Sequence, residues 1–195
     1  MLDYEKQFAP LVLIAGVDEV GRGPLAGPVV CACVIMPMGD DDIIDGVNDS
    51  KKLSAKKREE LYDKIIQKAV CYSICEQSEK VIDSINILNA TKKCMAQCVS
   101  SLDVVPELVL VDALTLDIPC KQKAVIHGDA LSYNIACASI IAKVYRDRLM
   151  CEMAKKYPEY GFEKHKGYGT KAHIEALKKY GACPIHRATF IKNFF

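Results

Sequence analysis

The chain has 195 residues, 50% of them apolar and 26% charged, the balance of an ordinary globular domain with a sizeable core. No apolar run approaches the ~18–20 residues that cross a bilayer, and Met1 to Pro10 carries Asp3 and Glu5 without a basic leader, so neither a membrane span nor a signal peptide is expected. The net charge of +1 hides an asymmetry: residues 1–50 hold two Lys+Arg against nine Asp+Glu, and residues 143–195 hold twelve against five, which suits acids that bind cations and a basic part that grips a polyanion.

In chain order, the first predicted element is an apolar strand over Leu11 to Val17, ending at the adjacent acids Asp18 and Glu19. A turn with three glycines and two prolines follows, Gly21-Arg22-Gly23-Pro24-Leu25-Ala26-Gly27-Pro28. Val29 to Met36 is apolar on both faces and is predicted as a central strand. Asp40 to Asn48 is polar, a loop or short edge strand. Ser54 caps a predicted helix over 55–69, with Leu61, Ile65 and Ile66 facing inward. Cys71 to Glu76 is a candidate strand. Residues 79–102 are predicted as helix in two pieces, with Ile82, Ile85, Leu88, Met95, Cys98 and Val99 on the inner side. Leu108 to Asp112 is a strand ending in an acid, and Ala124 to Asp129 repeats that plan. A long helix over 132–156 carries the small residues Ala136, Ala138, Ser139 and Ala142, which permit close packing on a sheet. Another helix covers 170–180 and stops near Gly181, and the tail to Phe195 docks through its aromatics. Strands alternating with helices predict an α/β sandwich with no linker, hence one domain over 1–195.

Three predicted strands thus end in carboxylates: Asp18 with Glu19, then Asp112, then Asp129. In an α/β sheet ligands gather at strand ends, so these acids can converge. Crowded carboxylates repel one another unless cations neutralise them, and oxygen ligands favour Mg²⁺ or Mn²⁺ over zinc. Two such ions are expected, the arrangement that cleaves phosphodiesters. Neighbours on a strand point to opposite faces, so Glu19 joins the group only through a bend or through its backbone carbonyl. The bare turn beside Arg22 offers amides to a phosphate or sugar. Ten cysteines without a Cys-x-x-Cys pair are read as reduced thiols of a cytoplasmic protein.

With these residues in view, the chain resembles the bacterial ribonuclease HII family. The matching blocks are residues 16–29, Asn48-Asp49-Ser50-Lys51-Lys52-Leu53, Val111-Asp112-Ala113, Gly128-Asp129, residues 138–147, His165-Lys166-Gly167-Tyr168-Gly169-Thr170 and Pro184 to Phe190. The resemblance implies a ribonuclease H-like fold: a mixed five-stranded sheet, antiparallel in its first part, flanked by helices, with a C-terminal helical substrate-binding portion over about 157–195. It implies endonucleolytic cleavage of RNA in RNA–DNA hybrids and of single ribonucleotides embedded in duplex DNA, leaving 3′-hydroxyl and 5′-phosphate ends. Asp18, Glu19, Asp112 and Asp129 then become the metal-binding catalytic acids. Gly21, Arg22 and Gly23 read the 2′-hydroxyl, and Tyr168 packs on the next sugar. Lys51, Lys52, Ser139, Lys143, Lys166 and Arg187 are expected against the duplex, mostly on its phosphates. The poorly matching residues 1–10 and 38–46 are expected to bear only on surface detail, and a monomer is expected. The competing readings are a resolvase- or transposase-like DNA nuclease and a hybrid-binding module without catalysis.

Overall fold

A computed structural model describes residues 2–48 and 50–194. In chain order the elements are α1 (Asp3–Lys6), β1 (Ile14–Val20), β2 (Val29–Ile35), α2 (Ala55–Lys68), β3 (Cys71–Gln77), α3 (Glu79–Ile85), α4 (Ile87–Ser100), β4 (Leu108–Asp112), β5 (Gln122–Val125), α5 (Gly128–Leu131), α6 (Tyr133–Lys156), α7 (Phe162–His165), α8 (Lys171–Tyr180) and α9 (Ala188–Ile191). Short 3-10 turns at Asp40–Asp42, Ser50–Lys52 and Pro158–Tyr160 complete them.

The five strands form one sheet in the order β3-β2-β1-β4-β5. β2 pairs antiparallel with β1 and β3, while β4 runs parallel to β1 and β5. The expected mixed sheet with an antiparallel first part is therefore present. All of β2 is buried, because its apolar residues meet α6 on one face and α4 on the other. On the α4 face, Cys31, Cys33, Cys75, Cys94 and Cys98 pack with Ala15, Val17, Val109 and Val111. Their thiols find main-chain acceptors, such as Cys98 Sγ to Cys31 O at 3.2 Å and Cys94 Sγ to Cys75 O at 3.2 Å. On the other face α6 lies against β1 and β2, and Ala136, Ala138, Ser139 and Ala142 are buried there.

The helix caps follow the sequence closely. Ser54, Ser78, Asn86, Ser132 and Thr170 each accept an amide of the first turn of the helix that follows. Asn86, at φ 65°, breaks the predicted 79–102 helix into its two pieces. That break rotates Leu88 outward to 40% exposure, and Ala90, Thr91 and Cys94 take the inward positions instead.

Other expectations are corrected. β1 begins at Ile14 rather than Leu11 and runs on through Asp18 and Glu19. The Val12 and Leu13 amides leave the ladder because both donate to the Glu107 carboxylate, at 2.8 and 2.9 Å. Asp129 ends no strand; β5 stops at Val125, and Asp129 lies in α5 after His127, which adopts a left-handed conformation. The loop 40–48 forms only one 3-10 turn, and Asp49 of the Asn48–Leu53 block lies outside the described residues, as do Met1 and Phe195.

The N-terminal segment is more than surface detail. Leu2 belongs to the main core, and Glu5 is fully buried. Glu5 Oε1 accepts the Ser132 hydroxyl at 2.6 Å, the Asn134 amide at 3.0 Å and the Asn134 side chain at 3.3 Å, capping α6. Asn134 Oδ1 in turn accepts the Met36 amide at 2.8 Å. Glu5→Ala would strand these donors in the core, and an expected loss of about 2–4 kcal/mol follows from the desolvation of unpartnered groups. Urea unfolding checks it; a loss below about 0.5 kcal/mol, typical of a surface position, contradicts this cap.

Candidate active site

The site forms where the parallel seam between β1 and β4 opens. That ladder pairs Val17 with Val111 and ends there. The next residues, Asp18 and Asp112, therefore flank one another just past the last paired rung. Both follow residues that face α4, so strand alternation turns both toward α6. Glu19 leaves the opposite face of β1, in register with Cys31 of the α4 side. Its longer side chain nonetheless brings a carboxylate oxygen into the group: one oxygen each of Asp18, Glu19 and Asp112 lie within 4.8 Å of one another.

The crowding has electrostatic consequences. Asp18 is 5% exposed, and burial pushes its carboxyl well above the usual carboxylate range, with the charges of Glu19 and Asp112 adding to the shift. The Ser139 hydroxyl and the Glu19 amide, which donates to Asp18 Oδ1 at 2.7 Å, partly offset it. Burial also raises Glu19, against the pull of Arg22, whose Nη1 stands 3.5 Å from Glu19 Oε1. Asp112 is raised by burial and by Asp129, and the Gly128 amide opposes this by donating to Asp112 Oδ1 at 2.8 Å. Glu19 Oε2 is buried with no hydrogen-bond partner among the described residues. A set of hard oxygen donors, each resisting ionisation, with one buried oxygen unanswered, fits divalent cations of the Mg²⁺ or Mn²⁺ kind.

Asp129 stands outside that close group. It is 8% exposed and takes Lys51 Nζ at 3.2 Å. Its place on α5 rather than on a strand end explains the separation, and it still acts on Asp112 through charge.

The glycine turn borders the acids through Arg22. Gly21 has φ +92°, and a Cβ there would fall 2.3 Å from Arg146 Nε. Gly23 lacks the positive φ expected for a turn glycine; a Cβ there would meet only the Tyr168 ring, at 3.7 Å. Tyr168 is 43% exposed, so its ring and the bare main chain of Gly23 lie side by side at the surface and border a shallow slot.

The remaining predicted contacts divide. Lys52 is exposed, and the Lys51 side chain projects outward while holding Asp129. Lys143 binds Asp147 at 2.7 Å, and Lys166 is turned to Glu163 O and to Cys151 Sγ. Ser139 is buried between Asp18 and Ser50, whose hydroxyl lies 2.9 Å away, so it supports an acid instead of facing a duplex. Arg187 is corrected outright: it is fully buried with its donors spent on main-chain carbonyls, and has no surface with which to meet a phosphate. Arg146 and Ser50 were not among the residues expected at the site. For Arg146 a signal existed, since it lies seven residues, two helical turns, after Ser139 and so shares the buried face of α6.

Acids gathered at the open end of the central seam of this mixed sheet place the molecule among nucleases with a ribonuclease H-like fold. The family model for Ribonuclease HII matches residues 15–193. Ribonuclease HII of Acetivibrio thermocellus is 60% identical over 197 aligned positions, covering 100% of this chain and 76% of that protein. Among solved structures, ribonuclease H2 from Pyrococcus horikoshii OT3 is 30% identical with a TM-score of 0.76, covering 93% of this chain and 96% of the other. The RNase HII of a PCNA:RNase HII complex from Archaeoglobus fulgidus is 28% identical with a TM-score of 0.79 and the same coverage. The chain belongs to the ribonuclease HII family, metal-dependent endoribonucleases that cleave the RNA of RNA–DNA hybrids. Membership favours this activity over the DNA-nuclease and non-catalytic readings. No described helix is long and apolar enough to cross a membrane.

Proposed function

We propose that this chain cuts at single ribonucleotides embedded in duplex DNA as well as in longer hybrids, leaving 3′-hydroxyl and 5′-phosphate ends. The observation that carries the reading is the juxtaposition of the Asp18–Glu19–Asp112 group with the Gly23–Tyr168 slot, bridged by Arg22. Asp18, Glu19 and Asp112 would hold two divalent cations, magnesium or manganese, with Asp129 completing the set once Lys51 releases it. When bound, such cations supply a nucleophilic water at neutral pH and charge compensation at the phosphate. The protein's share is orientation. Ser139 and the Glu19 amide fix the Asp18 carboxylate, and the Gly128 amide fixes Asp112. Gly21, Arg22 and Gly23 present main chain to the 2′-hydroxyl, the group that separates RNA from DNA. Tyr168 packs on the neighbouring sugar. Lys51, Lys52, Lys143 and Lys166 supply positive charge near the backbone, and the helical portion from 157 onward completes the duplex surface.

Action as a monomer is part of the same proposal. Ten free cysteines, most of them buried, support a reducing, cytoplasmic setting.

The test is cleavage of a duplex with one ribonucleotide beside its all-DNA counterpart, in Mg²⁺ and in Mn²⁺, with the cut mapped. Equal cutting of both duplexes defeats the reading. Tyr168→Ala is expected to lower kcat/KM on the single-ribonucleotide duplex about tenfold, the scale of one lost aromatic contact. Unchanged kinetics on that substrate would remove Tyr168 from the slot.

A further inference from the structure

Two arginines carry guanidinium groups into the interior, where acids such as Glu79 act on them only through charge at a distance. Arg146 on α6 and Arg187 before α9 are both 0% exposed, and neither forms an ion pair among the described residues. Every side-chain hydrogen bond they make there ends on a main-chain carbonyl. Arg187 donates to Gly21 O at 2.6 Å, Arg22 O at 2.9 Å and Gly27 O at 2.7 and 2.9 Å. Arg146 donates to Pro28 O at 3.0 Å, Ala26 O at 3.1 Å and Lys166 O at 2.9 Å. The glycine turn and the Tyr168 loop are thus gripped from beneath by two forks.

The consequence follows from peptide geometry. In a trans peptide the carbonyl and the next amide point in opposite directions. Pulling Gly21 O and Arg22 O inward therefore turns the amides of Arg22 and Gly23 outward. Neither amide has an acceptor among the described residues, and Gly23 is open except for the Tyr168 ring. The main chain completes the clasp: Leu25 N donates to Gly167 O at 2.8 Å, Gly27 N to Ile185 O at 2.8 Å, and Arg187 N to Leu25 O at 2.9 Å.

We propose that Arg187 and Arg146 are positioning residues for ribose recognition, Arg187 holding the Arg22 and Gly23 amides toward the duplex and Arg146 fixing the distance between that turn and Tyr168. This rests on, and deepens, the ribonucleotide-reading role given to the slot above. Only arginine serves, since its planar fork reaches several carbonyls at once while an ammonium acts from one point. Burial, with the nearby Arg146 charge, pushes the Arg187 guanidinium down to about 9, against the pull of Glu79 and Asp83.

The experiment uses Arg187→Lys and Arg146→Lys in the full chain. Binding to a one-ribonucleotide duplex and to the all-DNA duplex is measured in Ca²⁺, with Mn²⁺ affinity measured by calorimetry. Wild type should prefer the ribonucleotide duplex, and Arg187→Lys should lower that preference about tenfold, the scale of the hydrogen bonds lost, with Mn²⁺ affinity unchanged. Arg146→Lys should lower it too, and should erase the further effect of Tyr168→Ala. A folded Arg187→Lys that keeps the full preference, or loses affinity for both duplexes equally, overturns the proposal. Amide exchange on the unmodified chain tests the clasp even if the variants do not fold. The Leu25 and Gly27 amides should exchange at least ~100-fold more slowly than those of Arg22 and Gly23, the difference between locked and open groups. Uniformly fast exchange across the turn also overturns it. A wild type with no preference at all would instead overturn the slot reading, and this proposal with it.

Discussion

Asp18→Asn is expected to abolish cleavage, by about 10²–10³-fold or more, the loss that follows removal of one preorganised charge-compensating group. Asp18 sits nearest the centre of the acids: it shares the α6 side with Asp112, touches Ser139, and receives the amide of Glu19. Hybrid binding should survive, because the slot and the basic residues are untouched. The same variant should stabilise the metal-free protein. Burial and two neighbouring carboxylates raise the Asp18 carboxyl in the folded state. Its contribution to stability is therefore fully present below the ordinary carboxylate pKa of about 4 and is lost as pH rises through the raised value. Metal-free Asp18→Asn should consequently melt above wild type at pH 8, and the gap should close on acidification. Added Mn²⁺ should raise the wild-type Tm more than that of the variant. Cleavage within tenfold of wild type would remove Asp18 from its role, and a gap that widens on acidification would contradict the electrostatics.

Gly16→Ala should have the largest effect on folding. Gly16 lies in β1 beneath α6, and a Cβ there would stand 2.2 Å from Asn134 C and 2.3 Å from Ile135 N. Those atoms belong to the first turn of a helix anchored by Ser132 and by Glu5, so they cannot yield as a side-chain tip would. The methyl would push α6 off the sheet and, through Ser139, disturb Asp18. Overpacking in cores commonly costs about 1–3 kcal/mol, and a collision with the Asn134–Ile135 peptide of α6 belongs at or above the top of that range. Soluble yield and urea midpoint are the measurements. A midpoint matching wild type would mean that α6 does not approach β1 this closely.

Much of this was legible in the sequence, for identifiable reasons. β2 and β4 are short apolar runs, and the cap Ser54 is a local signal that tertiary packing had no cause to override. Asp18 and Asp112 were legible because strand alternation and parallel pairing place strand-end acids together. Glu19 was only half legible: alternation gave its face, but the reach of its side chain is a fact of three dimensions. Asp129 could not be placed, since the left-handed His127 ends β5 early in a way that no residue pattern announces. Arg187 was misjudged because arginine beside a nucleic-acid motif suggests phosphate. Its actual partners are carbonyls of a turn about 160 residues away in the chain. Glu5 escaped notice for the same reason, its partners being on α6.

The sulfur layer between α4 and the sheet gives the molecule a built-in gauge of its own opening. Seven of the ten thiols are buried, while Cys120, Cys151 and Cys183 are partly accessible. An alkylating reagent should mark those three first, and Cys31, Cys33, Cys71, Cys75, Cys94 and Cys98 only as the α4 side of the sheet parts. The mass added over time would then report how often, and from which edge, this half of the protein breathes.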